Sequence, residues 1–242
     1  MTGAQTSTGA ALYTSFPYDV GIGASGWASW EMSAAFSRDA GTVATVFSTP
    51  PVEFNDYNTF ADAGLIEAYN YAVNLNLDEA QAAINATTSE FPESSMSFMS
   101  LGGETDYDVL RERGAKMILV HGTADPVFSV QNTIDWYKAV DESNAGNADE
   151  FAKLYLIPGM NHCGNGPATD QVNTILDDIV AWVETGTAPE AITANAREAN
   201  TELPEDWAKD RSRPLCPFPQ VATYNGSGDI ELAESFTCVT PE

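Results

Sequence analysis

Asp125 and His162 are the side chains of this sequence best placed for hydrolytic chemistry. Asp125 lies in the loop after the aliphatic run Met117-Ile-Leu-Val120, which ends at His121-Gly122. His162 lies in Met160-Asn-His-Cys163, directly after a second apolar run, Phe151 to Gly159. Open α/β sheets build their sites at the carboxyl ends of strands, so one strand here delivers a carboxylate and the next an imidazole. In a nucleophile–histidine–acid triad the histidine takes the nucleophile's proton, and the acid fixes its tautomer and stabilises its charged form. Acid before histidine is the chain order of an α/β-hydrolase triad. The sequence holds two histidines, so the base is His162 or His121. His121 ends the strand itself, where it would hydrogen-bond in the floor of a site. His162 sits in a Gly-rich loop ahead of a helix, where such a base belongs. The plainer alternative makes His162 a loop residue and Asp125 a turn cap, and spacing alone does not separate the two.

The nucleophile is the gap. It belongs upstream, in a strand–turn–helix elbow of the form Gly-x-Ser-x-Gly or a close variant. Gly23-Ala-Ser25-Gly-Trp lacks the second glycine and has no strong strand before it. Met99-Ser-Leu-Gly-Gly103 is nearer the pattern. Yet Ser100 follows a Ser-rich loop and stands too close to Asp125 for the intervening helix and strand.

The elements that must position these residues read as follows. An apolar strand is expected over 116–121 and another over 153–157. Between them Ser129 suits a helix N-cap, and Val130, Ile134, Tyr137 and Val140 are spaced for an amphipathic helix. Pro167 and Thr169 open a helix with Val172, Ile175, Leu176, Ile179, Val180 and Val183 on one face, stopped at Gly186. Strand, helix, strand, helix implies a parallel sheet with helices on its faces. Upstream, residues 11–36 are aromatic and Gly-rich and read as an ordered irregular loop. Tyr13, Phe16, Tyr18, Trp27 and Trp30 would pack there, either lining a cleft or anchoring the loop. Residues 42–49 read as a short strand ended by Pro50 and Pro51. Helical spacing runs from about 58 to 86, with Phe60, Leu65, Tyr69 and Val73 as one stripe and a second helix from Asp78 to Ile84. Residues 87–105 read as loop, Asp106–Arg113 as a short helix stopped at Gly114, and the chain from 187 on as mostly irregular.

Composition narrows the function. Of 242 residues 43% are hydrophobic, enough for a sizeable core. The chain carries 35 acidic and 10 basic residues, a net charge of −25, spread along its length. That argues against nucleic acid, whose phosphates need a cationic face, and against anionic membrane surfaces. The charge reads as a solvated acidic surface, or as adaptation to salt that screens it. No run approaches the ~20 apolar residues of a membrane helix, and no Asp-x-Asp-x-Asp-Gly calcium loop is present. Residues 1–10 have neither the basic start nor the apolar centre of a signal peptide, so the chain is cytosolic or its address is not in this sequence. Three cysteines leave one without an intrachain partner. Cys216 and Cys238 bracket a Pro- and Gly-containing tail that a bridge would hold, which points to an oxidising compartment. Cys163 then needs a partner elsewhere. Zinc is the weaker alternative, since neither Cys-x-x-Cys nor His-x-x-x-His spacing occurs.

Four segments carry a resemblance. Ala11-Leu-Tyr…Tyr18-Asp-Val-Gly-Ile, His121-Gly-Thr-Ala-Asp-Pro-Val-Phe-Ser129, Pro158-Gly-Met-Asn-His-Cys-Gly-Asn-Gly-Pro167 and Arg211-Ser-Arg-Pro-Leu-Cys-Pro-Phe-Pro219 together resemble the tannase/feruloyl esterase family, over about residues 11–240. The resemblance implies a secreted or periplasmic serine esterase with an α/β-hydrolase core, acting on hydroxycinnamate, gallate or terephthalate half-esters, with a lid inserted between nucleophile and acid. It implies Asp125 as acid, His162 as base and a Cys216–Cys238 bridge. It pairs Cys163 with a cysteine next to the nucleophile, in a Cys-Ser-x-Gly-Gly segment that this sequence lacks. It places Trp30, Phe47 and Phe128 against the substrate. Residues 1–60 are then the end of the lid and its return to the core, and 61–242 the C-terminal part of the catalytic domain with a disulfide-closed tail. The family's lid calcium site falls outside this chain, and no other cofactor is expected. The partner is a small aromatic ester, together with the missing N-terminal half if the chain is a fragment. An open sheet lacking its first strands would leave an unpaired edge. A member taking terephthalate half-esters holds the free carboxylate with an arginine near the end of the lid. Residues 40–48 contain none and Arg38 is the nearest, which favours an uncharged aromatic acyl group. The alternative is an acidic, non-catalytic module that binds aromatic ligands and has lost the nucleophile.

Overall fold

A computed structural model describes residues 3–52, 54, 62–99 and 105–241 of the chain. Ser100 and Phe60 lie outside the described residues, as does the side chain of Leu65. The chain forms two compact units. One comprises Met1–Phe16 and Ala28–Glu104, the other Pro17–Trp27 and Thr105–Glu242. The helices over 62–99 thus belong to the first unit.

The first unit is helical. Ser25–Ser29 (α1), whose first residues count with the other unit, runs into a π-helix over Trp30–Asp39 and then Ala40–Val46 (α2). Asp62–Val73 (α3), Leu77–Asn85 (α4) and Ser95–Met99 (α5) follow. Two expectations fail here. Residues 42–49 are not a strand, and 25–39 are not an irregular loop. The β-branched Thr42, Val43, Thr45 and Val46 suit a strand by propensity, but Ala40, Gly41 and Ala44 at helical spacing form a small buried face. Packing on that face overrides the local preference. The Thr45 hydroxyl donates to the Gly41 carbonyl one turn back (2.9 Å), so the polar branch is satisfied inside the helix. The expected α4 is present, and its acidic start has a cap: Asn76 accepts from the backbone N–H groups of Asp78 and Glu79.

The second unit holds Asp108–Glu112 (α6), Met117–Gly122 (β1), Val130–Ser143 (α7), Ala152–Ile157 (β2) and Ile175–Thr185 (α8). β1 and β2 pair in parallel, with Leu119 opposite Leu154 and His121 opposite Leu156. Among the described residues this sheet has two strands. One core cluster packs Tyr137 and Val140 of α7 against Phe151, Ala152 and Leu154, and the other gathers Tyr155, Ile157, Met160, Ile192 and Leu215. The α7 stripe falls as the spacing requires, with Val130, Tyr137 and Val140 buried, and Ser129 caps the helix by accepting from the Gln131 N–H.

The stripe of α8 differs from expectation. Trp182 is its buried residue, while Leu176 (69% exposed), Val180 and Val183 face outward. Asp177, Asp178, Glu184 and Thr185 gather on one side of the helix, and Trp182, at the edge of the apolar arc, is the side chain the core covers. The helix also starts at Ile175, not at 167–169, because Gln171 and Asn195 exchange backbone hydrogen bonds at 3.0 Å and hold the preceding segment extended. The tail is not irregular either. Ile192–Asn195 (β3) pairs with Ser212–Leu215 (β4), and Val221–Tyr224 (β5) with Phe236–Val239 (β6), both antiparallel. Four-residue strands are too short to show a period, and their partners are distant in sequence.

Two tyrosine hydroxyls in this core predict an alkaline limit. Tyr137 donates to the Ala152 carbonyl (3.0 Å) and Tyr155 to the Pro189 carbonyl (2.8 Å). Burial, then the nearby Asp149 and Asp141 carboxylates, raise the Tyr137 phenol from 10.0 to about 12. Burial likewise raises Tyr155, with Asp178 adding to it. Each proton is held more tightly folded than unfolded. The stabilisation is therefore complete below the unfolded value and is lost as pH rises through the folded one. Urea midpoints should fall between pH 10 and about 12, and Tyr137→Phe should flatten that fall while lowering stability below it. Parallel pH curves for the two proteins would refute this account.

Candidate active site

The loop after β1 folds around the Asp125 carboxylate, which is 6% exposed. Its Oδ1 accepts from the backbone N–H groups of Val127 (2.8 Å) and Phe128 (3.0 Å). Its Oδ2 faces His162 Nδ1 at 3.0 Å and His121 Nε2 at 3.4 Å. Burial by itself would raise this carboxyl. The hydrogen bonds from His121, His162, Phe128 and Val127 together outweigh it and hold the group below its ordinary value, ionised. The sequence-expected pair is thus in contact, with the carboxylate clamped by two backbone donors so that its other oxygen meets the imidazole.

The network also assigns the tautomers. His121 Nε2 lies 3.0 Å from the Phe128 carbonyl, which can only accept, and His121 Nδ1 lies 2.8 Å from the Thr133 hydroxyl. His121 therefore carries its proton on Nε2. His162 donates from Nδ1 to Asp125, which leaves Nε2 as the lone-pair nitrogen. His121 bonds to Thr133 and to the Phe128 carbonyl of the acid loop, and His162 meets Asp125 through Nδ1. The exposed Cys163 thiol stands 3.9 Å from that nitrogen, and the ring of Phe128, 58% exposed, lies 5.5 Å from the imidazole, centre to centre.

Close backbone approach sets these distances. A Cβ at Gly122 would stand 2.3 Å from the Met160 carbonyl oxygen, so only glycine lets the end of β1 meet the His162 loop. That loop is itself unusual. Cys163 (φ 57°), Gly164 (φ 146°), Asn165 (φ 62°) and Gly166 (φ 75°) all have positive φ. Two non-glycine residues in this region cost energy and persist only where the surroundings over-determine them. Here the Asp170 carboxylate accepts from the Asn165 N–H (3.2 Å) and is itself held by Arg197, the Asn200 amide donates to the Gly166 carbonyl (2.8 Å), and Glu202 accepts from the Gly166 N–H (2.9 Å).

Other expected site residues fall elsewhere. Trp30 starts the π-helix of the first unit and is half-buried. Phe47 follows α2 in the same unit and lines, with Leu12, Val43, Tyr71 and Met96, a cavity of about 280 Å³. Neither belongs to the unit that holds Asp125 and His162. Cys216 and Cys238 form a disulfide. Among the described residues no three His, Cys, Asp or Glu side chains converge to hold a metal ion. Asp19 and Thr123, which brace the site, lie in segments that carry the resemblance but had no role read from them, and Glu202 lies in none of those segments.

A family model described as "Tannase and feruloyl esterase" matches residues 1–239. The mono(2-hydroxyethyl) terephthalate hydrolase of Piscinibacter sakaiensis is 34% identical over all of this chain and 40% of its own length. Feruloyl esterase B of Aspergillus niger is 34% identical over 53% of the chain and 27% of its own. The chain thus spans less than half of either relative. Among solved structures, feruloyl esterase B from Aspergillus oryzae superposes with a TM-score of 0.62 at 19% identity, over 98% of this chain and 44% of that one.

Proposed function

Because the chain belongs to the tannase and feruloyl esterase family, we propose that it supplies the acid and the base of a serine carboxylesterase acting on esters of aromatic acids. The observation that carries this reading is the Asp125–His162 pair, a clamped carboxylate 3.0 Å from Nδ1 of an imidazole whose other nitrogen bears the lone pair. His162 Nε2 takes the proton of a serine as that serine attacks the ester carbonyl, then returns it to the leaving alkoxide. Asp125 stays ionised and stabilises the imidazolium in between. The serine, its oxyanion hole and the cysteine that pairs with Cys163 are placed on sequence outside residues 1–242. The fold that unites them is an α/β-hydrolase core, of which β1, β2 and their helices form the C-terminal part, with residues 1–60 as the end of its lid.

Phe128, beside the imidazole, stacks on the acyl ring, and the family resemblance gives Trp30 and Phe47 a part in substrate binding as well. Residues 40–48 lack an arginine, which favours an uncharged acyl group, a hydroxycinnamate or gallate ester, over a terephthalate half-ester. The Cys216–Cys238 bridge fits a secreted or periplasmic location.

A fluorophosphonate probe tests the reading. In the intact esterase the label should fall on a serine outside residues 1–242, and the chain 1–242 alone should remain unlabelled and nearly inactive on p-nitrophenyl and feruloyl esters. A label on this chain, or a burst of p-nitrophenol that survives Ser100→Ala but vanishes with His162→Ala, would overturn the placement of the serine. Aromatic ligands that bind without turnover in the intact protein would favour a non-catalytic binding module.

A further inference from the structure

Residues 17–27 pack with the second unit although the chain on either side of them belongs to the first. They touch both loops of the site. Asp19 Oδ2 accepts a short hydrogen bond from the Thr123 hydroxyl in the acid loop, while its Oδ1 accepts from the Gly21 N–H (2.8 Å) and rounds the turn. Thr123 carries the tie onward, since its hydroxyl oxygen accepts from the Gly159 N–H (3.3 Å) ahead of the base loop. Gly21 lies between the two loops: a Cβ there would stand 2.5 Å from the Gly159 carbonyl oxygen and 2.6 Å from Ala124 Cβ. Further along, one carboxylate oxygen of Glu202 accepts from the Ser25 hydroxyl (2.6 Å) and the Gly26 N–H (3.0 Å). The other accepts from the Gly166 N–H (2.9 Å), at the end of the positive-φ run that starts beside His162.

We infer that residues 17–27 form a strap that sets the spacing of Asp125 and His162, with Asp19 and Glu202 as positioning residues. The physical case lies in the base loop. Residues 163–166 hold a conformation that the chain does not favour by itself, and Glu202 joins the end of that loop to the strap. The acid loop needs less help, since Asp125 already has two backbone donors of its own. Asp19 holds the strap to that better-fixed side, and Glu202 transmits its position to the weaker one. Releasing Glu202 lets the base loop relax and moves the imidazole off the carboxylate, while the β1–β2 core is untouched. Burial alone would raise the Glu202 carboxyl, but the bonds from Ser25, Gly166 and Gly26 outweigh this and keep it below its ordinary value, as an acceptor of three bonds should be.

The inference rests on reading Asp125 and His162 as acid and base, and its test separates the two. The chain has two histidines, and the network gives them opposite tautomers, Nε2–H for His121 and Nδ1–H for His162. Two-bond ¹H–¹⁵N spectra of the ¹⁵N-histidine-labelled chain, with both imidazoles neutral, therefore distinguish them. Glu202→Ala should convert His162 to a mixture of tautomers and leave the His121 pattern and the cooperative urea transition in place. Glu202→Gln can still accept from Gly166 and donate to Ser25 but loses the Gly26 N–H, which then faces its NH₂, so it should keep more of the Nδ1–H form than Glu202→Ala without restoring it fully. Ser25→Ala removes one exposed hydroxyl without threatening the fold, and should give an intermediate mixture; it decides the matter should Glu202→Ala not fold. In the intact esterase Glu202→Ala should lower kcat by about 10² with KM little changed, the scale of a small misplacement of a reacting group. An unchanged Nδ1–H signature in the folded Glu202→Ala or Ser25→Ala chain overturns the strap. A wild-type His162 that is not Nδ1–H overturns the acid–base pairing instead, and the strap's purpose with it.

Discussion

Asp125→Asn should lower kcat of the intact esterase by about 10⁴ with little change in KM, the size seen when a triad aspartate is replaced isosterically. The reason lies in which oxygen is pinned. Oδ1 of Asp125 accepts from the Val127 and Phe128 N–H groups. An asparagine keeps those two bonds only by leaving its carbonyl oxygen in that position. Its NH₂ must then occupy the place of Oδ2, which faces His162 Nδ1 and His121 Nε2. An NH₂ cannot accept. It donates to His162 Nδ1, which moves the imidazole proton to Nε2, where a base needs its lone pair. The side chain stays in place and the chemistry is lost. The same spectra that test the strap should show His162 as Nε2–H in this variant, whether or not a substrate is known. Retention of the Nδ1–H form, or a loss of kcat under tenfold, would mean that the carboxylate does not set the tautomer.

The part of this site legible in the sequence was the part built from strands that run straight into loops. The aliphatic runs before Asp125 and His162 are long enough to read, and their parallel register brings the two loops to the same end of β1 and β2. The Cys216–Cys238 bridge was legible from the way the two cysteines bracket the tail, and the resemblance implied the same pairing. What stayed hidden was held by single bonds between distant residues. Nothing about Glu202, in a polar stretch of the tail, signals that it meets Ser25, 177 residues away in sequence. The glycines at 21 and 122 read only as turn residues, whereas their work is to let backbones touch. The tail strands were missed for a related reason, since four residues carry too little pattern for alternation to show. Helix α2 was misread because its β-branched residues outweighed, by eye, the small buried face made by Ala40, Gly41 and Ala44.

The tail leads to the second large effect. Replacing both Cys216 and Cys238 by Ser should destabilise the chain by about 3 kcal/mol, the loop-closure figure for a bridge spanning 22 residues. Both must go together, because a single variant would free a thiol able to pair with the exposed Cys163. The loss should be uneven. Cys216 is buried at the end of β4, and the neighbouring Phe218 packs edge-on against Tyr137 at 6.1 Å, so that side of the bridge is anchored in the core. Cys238 is not so anchored. It lies in β6, whose partner β5 is exposed along its whole length and buries no apolar face. The near end of the hairpin keeps other ties: the Arg211–Glu231 ion pair, the Ser212 N–H to the Glu231 carbonyl (2.9 Å), and Arg213 over the Phe236 ring at 4.3 Å. The far end, Thr237 to Val239, depends on the bridge. Amide exchange in the double variant should therefore rise first over Val221–Val239, with the β1–β2 amides following only at the lowered global limit. The His162 tautomer should stay as in the wild type, because no bond of the strap or of the acid loop crosses this hairpin. Uniform acceleration over the whole unit would show that the disulfide acts on the core directly rather than by holding an edge that cannot bury itself.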